Sequence, residues 1–230
     1  HMQEKVFAYL RQWNMVKPGD TVLVGFSGGA DSTALLQLLW NYGRQVPLQL
    51  EAVHVNHGIR GAEALRDQQF CQERNISFTV VQEDVPAQAA RDGLSLEEAG
   101  RNARRRVFEH LAEKCQASVI ALAHHQRDQA ETMLFRLIRG SGLHGLYGMR
   151  PARRLAEGVT VIRPLLGMER AEIEAYLKAQ GQPYCRDATN EDTDYSRNRI
   201  RHKVMPELKA VNTGAVHHMM QSAQMLRELS

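Results

Sequence analysis

The stretch Thr21-Val22-Leu23-Val24-Gly25-Phe26-Ser27-Gly28-Gly29-Ala30-Asp31-Ser32 is an apolar run that breaks into glycines around a serine, followed by a carboxylate. An apolar run without alternation is what a strand buried on both faces needs. The glycines behind it allow a tight turn into a helix over 31–41. Such a strand demands helices above and below it, and the rest of the chain supplies them. Apolar runs predict strands at 21–25, 50–55, 77–81, 118–123 and 159–163. Amphipathic segments predict helices at 3–14, 31–41, 62–74, 95–114, 127–139, 169–180, 195–209 and 214–229. The alternation predicts an α/β fold, an open five-stranded parallel sheet with helices on both faces. Beyond about residue 186 only helical pattern remains, so the chain divides into a domain over 3–185 and a small helical arm over 186–230.

Punctuation agrees with this reading. Ser95-Leu96-Glu97-Glu98 has the form of a capping box, and Gly140 stands where a helix over 127–139 should stop. Four glycines and no periodicity in residues 139–149 predict a mobile loop. His1-Met2 reads as a tag remnant.

Composition narrows the class. The formal charge is only +3, but arginines bunch at 101–106, 150–154 and 197–203. Local basic patches of this kind suit phosphate or RNA, and equally suit solvated helix faces. Cys71, Cys115 and Cys185 form no C-x-x-C pair, which argues for a reduced, cytoplasmic protein without a zinc or iron–sulfur motif. No signal-like start is present, and no apolar run approaches the ~20 residues that cross a bilayer. The pattern predicts no membrane partner.

Two chemistries fit Gly25-Phe26-Ser27-Gly28-Gly29. It matches the G-x-S-x-G nucleophile elbow of hydrolases, and it reads as a phosphate cradle at a helix start. The elbow needs an oxyanion-hole loop from an earlier strand, whereas only a helix and a turn precede Val22. The phosphate reading therefore leads. A Walker-type loop would bring a lysine to the phosphates, yet no lysine lies between Lys17 and Lys114. Asp31 and Ser32 follow the glycines instead. A carboxylate beside a phosphate needs a cation between them, and Mg2+ is the hard, oxygen-seeking ion for that place. The plainer alternative is that Ser27 and Asp31 only cap the helix.

Ser27-Gly28-Gly29-Ala30-Asp31-Ser32 resembles the SGGxDS loop of the N-type ATP pyrophosphatases, the PP-loop superfamily. The resemblance implies an adenine nucleotide alpha hydrolase-like fold and cleavage of ATP between the α and β phosphates, with Ser27 a phosphate ligand. Later segments are similar to those of the tRNA(Ile)-lysidine synthetases. They are His54-Val55-Asn56-His57-Gly58-Ile59-Arg60-Gly61, then Ala123-His124 with Asp128-Gln129-Ala130-Glu131-Thr132, then Arg139-Gly140-Ser141-Gly142-Leu143 and Arg163-Pro164-Leu165-Leu166. Asp187, Asn190 and Asp192, with Arg197-Asn198 and Ile200-Arg201, close the series.

That resemblance implies ligation of lysine to the wobble cytidine in the CAU anticodon of isoleucine tRNA. ATP adenylates the cytosine O2 and pyrophosphate leaves; the lysine ε-amine then attacks C2 and AMP leaves. It implies ATP contact at Ser27, Gly28, Gly29, Ala30, Asp31, Ser32, Arg104 and His124, with Asp31 holding Mg2+. Cytidine recognition falls on Asp128 and Glu131, and the catalytic set is Asp31, Arg104, His124, Asp128 and Glu131. Longer members carry further C-terminal domains. A sequence that ends soon after the Arg197–Arg201 segment is either a piece of such a chain or a short member; a homodimer is a separate, open expectation.

The residues have readings of their own. Leu96, Ala99, Ala103, Val107 and Leu111 form one stripe of the 95–114 helix at ~100° per residue. Arg104 borders that stripe, where it either reaches a ligand or snorkels. Asp128 and Glu131, at i and i+3, share one side of a helix start, where they either bind substrate or complement the dipole. His57 and Arg60 open a candidate substrate loop. His54 and His57 lie on opposite faces of a strand, which disfavours a shared metal. The basic 195–209 segment offers Arg197, Asn198 and Arg201 to tRNA, or clamps onto Asp187 or Asp192. A lysine ε-amine is protonated at pH 7, and neutralising it costs about 4.6 kcal/mol, so the site needs a proton acceptor. The competing functions are a tRNA thiolase of the same superfamily, which in its iron–sulfur form needs paired cysteines, and a non-catalytic ATP sensor.

Overall fold

A computed structural model describes residues 1–56, 62–185 and 195–229. His57 and Arg60, the acidic residues 187–192 and the domain boundary proposed at 185/186 lie outside or at the edge of these residues.

The five parallel strands are present: β1 (Thr21–Gly25), β2 (Gln49–Asn56), β3 (Ser77–Gln82), β4 (Val119–Ala121) and, last in the chain, β6 (Val159–Ile162). A sixth, β5 (Ala152–Ala156), joins β6 antiparallel, and the sheet order is β3-β2-β1-β4-β6-β5. Strand periodicity misses β5 because it is an edge strand, with Arg153 and Arg154 exposed. Its signal is the two-residue Glu157-Gly158 turn, where Gly158 has φ +75°.

Side chains along β1 alternate between two cores. Val22 and Val24 face the helices α1 (Met2–Gln12), α2 (Ala30–Tyr42) and α8 (Arg170–Ala179), packing with Leu10, Leu35, Leu36, Ile173 and Leu177. Leu23 faces α5 (Leu96–Cys115) with Val107, Phe108 and Leu111. Met2, set aside above as a remnant, opens α1 and is buried. Ser95 caps α5 as its sequence implies, accepting the Glu98 amide at 3.1 Å.

Three other helices surround this frame: α3 (Ala62–Glu73), α4 (Val85–Asp92) and α6 (Gln126–Arg139). Helix α4 is too short for its period to show, but Asp84 caps it and Gly93 ends it at φ +67°. The glycine-rich segment after α6 is less free than its composition suggests. It makes a short turn, α7 (Leu143–Leu146), and is then tied to α6. Gln129 exchanges two bonds with the Met149 backbone, at 2.6 and 2.9 Å. Arg136 donates to the Gly148 carbonyl at 2.6 Å.

The helix expected over 195–209 widens into a π-helical turn partway along, and the one expected over 214–229 is present. The basic arm runs as α9 (Tyr195–Arg199), a π-helical turn over Ile200–Val204, α10 (Met205–Val211) and then α11 (Ala215–Leu229). Pro206 explains the wide turn, since its ring cannot sit against the carbonyl one regular turn earlier. The arm packs back on α6 through Ile200, Met205 and Ala130.

Candidate active site

From β1 the chain proceeds to β2 and β3 on one side and later to β4 and β6 on the other, so the order reverses between β1 and β4. In an open parallel sheet, ligands bind outside the carboxyl ends of the strands at such a switch point. Two cavities meet there, one of about 300 Å3 and one of about 840 Å3.

The smaller cavity is built on the turn after β1. Phe26 donates its amide to Val53 of β2 at 2.8 Å, which fixes where the strand ends. Ser32 Oγ then folds back to accept the Ser27 amide and contact the Ser27 hydroxyl, both at 3.0 Å. Gly28 has φ +84°, and a Cβ there would stand 2.6 Å from the Asp67 carboxylate. Only glycine fits. The Gly28 carbonyl accepts the Cys185 amide at 2.8 Å, so a distant segment pins the turn. Helix α2 starts from Gly29 without a side-chain cap, presenting amides and the positive end of its dipole to the cavity. Ser27, Gly29, Ala30, Asp31 and Ser32 line it, as do Arg104 and His124, while Gly28 is not among its lining residues.

Asp31 is the hinge of this charge arrangement. Its Oδ2 lies 3.3 Å from His125 Nε2 and 3.8 Å from Arg170 Nη1. Its Oδ1 is buried and has no hydrogen-bond partner among the described residues. An orphaned carboxylate oxygen facing a phosphate cradle suits a hard cation.

His125 was not singled out above, although it stands next to His124. It caps α6, its Nδ1 accepting the Arg127 amide at 3.2 Å, while Nε2 also lies 3.5 Å from Asp128 Oδ2. Burial works against its charged form, but Asp128 and Asp31 outweigh it and raise its pKa. The Arg127 amide pulls the other way, since an acceptor Nδ1 belongs to the neutral ring. Asp128 answers with the reciprocal cap, accepting the His125 amide at 2.9 Å. Burial opposes its ionisation, yet His125, His124 and Arg201 bring its pKa down to about 2.

His124 stands between the two cavities and lines both. Burial drives its pKa down to about 3 and outweighs Asp128, with Arg163, Arg197 and Arg104 adding to the effect. Arg163 Nε donates to His124 Nδ1 at 3.2 Å, so the neutral ring carries its proton on Nε2.

Arg201 comes from the π-helical turn. It forms a bidentate pair with Glu131, Nε to Oε2 at 3.0 Å and Nη2 to Oε1 at 2.9 Å, and reaches Asp128 Oδ1 at 3.4 Å. Glu131 is fully buried beneath this contact. The arm thus clamps onto Asp128 and Glu131, while Asp187 and Asp192, the partners expected for it, lie outside the described residues. Arg197 lines the larger cavity and donates to Thr132 Oγ1 at 2.8 Å, while Asn198 is half-buried on the arm. The larger cavity also draws in Phe135, Arg136, Arg139 and Arg153.

Fold and site together define a parallel α/β domain whose central strand ends in a serine–glycine cradle guarded by an acid. The family model described as the PP-loop domain matches residues 1–208, and the chain belongs to that family. Its curated relatives include the tRNA(Ile)-lysidine synthase of Geobacter sulfurreducens, 42% identical over 98% of this chain and 48% of that protein. Those of Bacteroides thetaiotaomicron and Geobacillus kaustophilus are 38% and 41% identical, over 100% and 99% of this chain and 53% and 50% of theirs. The chain spans about half the length of the curated relatives it matches. A solved U34-tRNA thiolase from Methanococcus maripaludis shares the fold, with TM-score 0.70 and 21% identity over 99% of this chain and 78% of that one.

Proposed function

We propose that this chain is the ATP-dependent catalytic domain of a tRNA(Ile)-lysidine synthase, joining the lysine ε-amine to C2 of the wobble cytidine in isoleucine tRNA. Residues 3–185 form its catalytic unit and 186–230 its helical arm. The observation that carries this reading is the pairing of two unlike cavities across His124 and Asp128. One is a phosphate cradle. The other is large and arginine-lined, as a nucleic-acid loop requires. A reaction joining a nucleotide to an RNA base needs both to meet at one point.

Each residue's part follows from its surroundings. The turn amides and the start of α2 receive the phosphates. Asp31, with its orphaned Oδ1, would hold Mg2+. That ion supplies charge neutralisation on the phosphates when bound. His124, kept neutral, presents Nε2–H to an anionic oxygen at the partition. Asp128, an ionised acceptor that lines both cavities, would take a hydrogen bond from a cytosine amino group, while its low pKa makes it a poor base for the incoming amine. Cytosine O2 attacks the α-phosphorus and pyrophosphate departs. The lysine nitrogen then bonds to C2, AMP leaves with O2, and the amine loses a proton.

The thiolase alternative is weakened by cysteine placement. Cys71 packs in the core beside α2, Cys115 against the opposite core, and Cys185 at the nucleotide cavity. The deciding experiment is mass analysis of isoleucine tRNA after incubation with the protein, ATP and lysine. A lysyl mass on the anticodon nucleoside is expected. Pyrophosphate release without that mass, or a sulfur mass instead, would overturn the reading.

A further inference from the structure

The cradle has no lysine in its own sequence, so the positive charge for the departing pyrophosphate must come from elsewhere. Four arginines line the smaller cavity: Arg104, Arg127, Arg170 and Arg201. Two of them are turned to Glu131. Arg201 is engaged bidentately by Glu131, and Arg127 Nε leans on the same carboxylate at 3.6 Å. Arg104 lines both cavities and so stands at the partition. Arg170 is the guanidinium that approaches Asp31, with Nη1 at 3.8 Å.

Its mounting is rigid. Arg170 is the first residue of α8, whose Ile173 and Leu177 are fully buried against α2. The Gln126 amide donates to the Met168 carbonyl at 3.0 Å, tying the start of α6 to the turn before α8. Arg170 Nε is steadied by Glu174 Oε1 at 3.1 Å, while Nη1 stands 3.8 Å from Asp31 Oδ2. A contact of 3.8 Å is an ion pair without a good hydrogen bond. A phosphate oxygen offers a stronger, bidentate partner.

We infer that Arg170 is a substrate-binding catalytic residue that grips the β and γ phosphates of ATP, exchanging its contact with Asp31 for one with the phosphates. As the bond from the α-phosphorus to the bridging oxygen breaks, the electron pair stays on pyrophosphate, and Arg170 holds the charge gained there. This rests on the ATP reading of the smaller cavity, and it predicts selectivity between nucleotides that differ only in those two phosphates.

The test is calorimetric titration of the full chain with Mg·ATP, AMP and inorganic pyrophosphate, for the wild type, Arg170→Gln and Arg170→Lys. Arg170→Gln should weaken ATP and pyrophosphate at least tenfold while AMP stays within twofold. Arg170→Lys, which keeps the charge but loses the fork, should fall between. Equal loss for AMP and ATP would reveal a merely structural role and overturn the assignment, as would unchanged pyrophosphate affinity. A wild type that binds pyrophosphate through Arg170 yet never adds lysine to tRNA would sink the proposed function and leave this assignment standing.

Discussion

The two cavities differ in how their charge is balanced. In the smaller one, acids and bases are interleaved: Asp31 against His125 and Arg170, and Asp128 against His125 and Arg201. Apart from Arg201, these groups sit at helix starts, so their geometry is set before any ligand arrives. The larger cavity is lopsided, with eight arginines and Asp128 as the one carboxylate among its described lining residues. Such a surface has a standing demand for anions. The contrast separates an internally balanced charge network from an anion-seeking surface, and residues confined to one cavity can disturb it alone.

The sharpest way to break the comparison is Asp31→Ala. It should lower RNA-dependent pyrophosphate release by about 10^3-fold or more, a loss of roughly 4 kcal/mol in transition-state stabilisation. The side chain is 19% exposed and lies at a helix start, so melting should shift little. Retention of near-wild-type release would remove the cation assignment.

The balanced cavity was the legible one. Ser27 to Ser32 state their purpose through local chemistry, as a turn that only glycine can make, an uncapped helix and an acid where a lysine would otherwise be. Asp128 was visible because it sits in the first turn of a periodic helix. His125, Arg170 and the Arg201–Glu131 pair were not, because each depends on contacts between elements far apart in the chain. Nothing local to Arg170 says that α8 will dock with its first residue over Asp31. The same holds for β5, whose partner is known only once the sheet edge exists.

The Arg201–Glu131 pair joins the arm to the reaction centre, and it should be the next largest lever. Arg201→Ala leaves a fully buried carboxylate without its bidentate partner, which should cost about 3 kcal/mol of stability. Chemical denaturation would show a lower midpoint. Replacing the two together with Met and Leu should recover part of that loss, because shape is kept and the buried carboxylate goes with its partner, although Arg127 then loses its contact with Glu131. If the single variant is as stable as the wild type, the arm is not held by this clamp.

Acid should reveal the partition itself. The folded His124 pKa is depressed to about 3, so below 6.5 the unfolded chain takes a proton there that the native state refuses. Stability present above pH 6.5 should therefore decline as pH falls towards 3. Asp128, depressed from 3.8 to about 2, adds a further loss below pH 4. Because His124 edges on two cavities, water screens it, and the slope should stay below the full ~1.4 kcal/mol per pH unit. His124→Gln should flatten the limb between pH 6.5 and 4. An unchanged slope would mean that the ring is free to charge in the folded protein.

The smallest effect belongs to single arginines of the larger cavity, and it sharpens the contrast most directly. Arg139 lies over Phe135, with its guanidinium carbon 5.1 Å from the ring centroid, at the end of α6. If it meets a phosphate of a bound RNA loop, Arg139→Ala should weaken RNA binding by roughly tenfold or less. It should also reduce the slope of log affinity against log salt by about 0.7 to 0.9, the signature of one released counterion. ATP affinity should be untouched, since Arg139 lines only the larger cavity. A variant that loses RNA affinity without any change in slope would assign the contribution to stacking at Phe135, and the larger cavity would then read bases as well as charge.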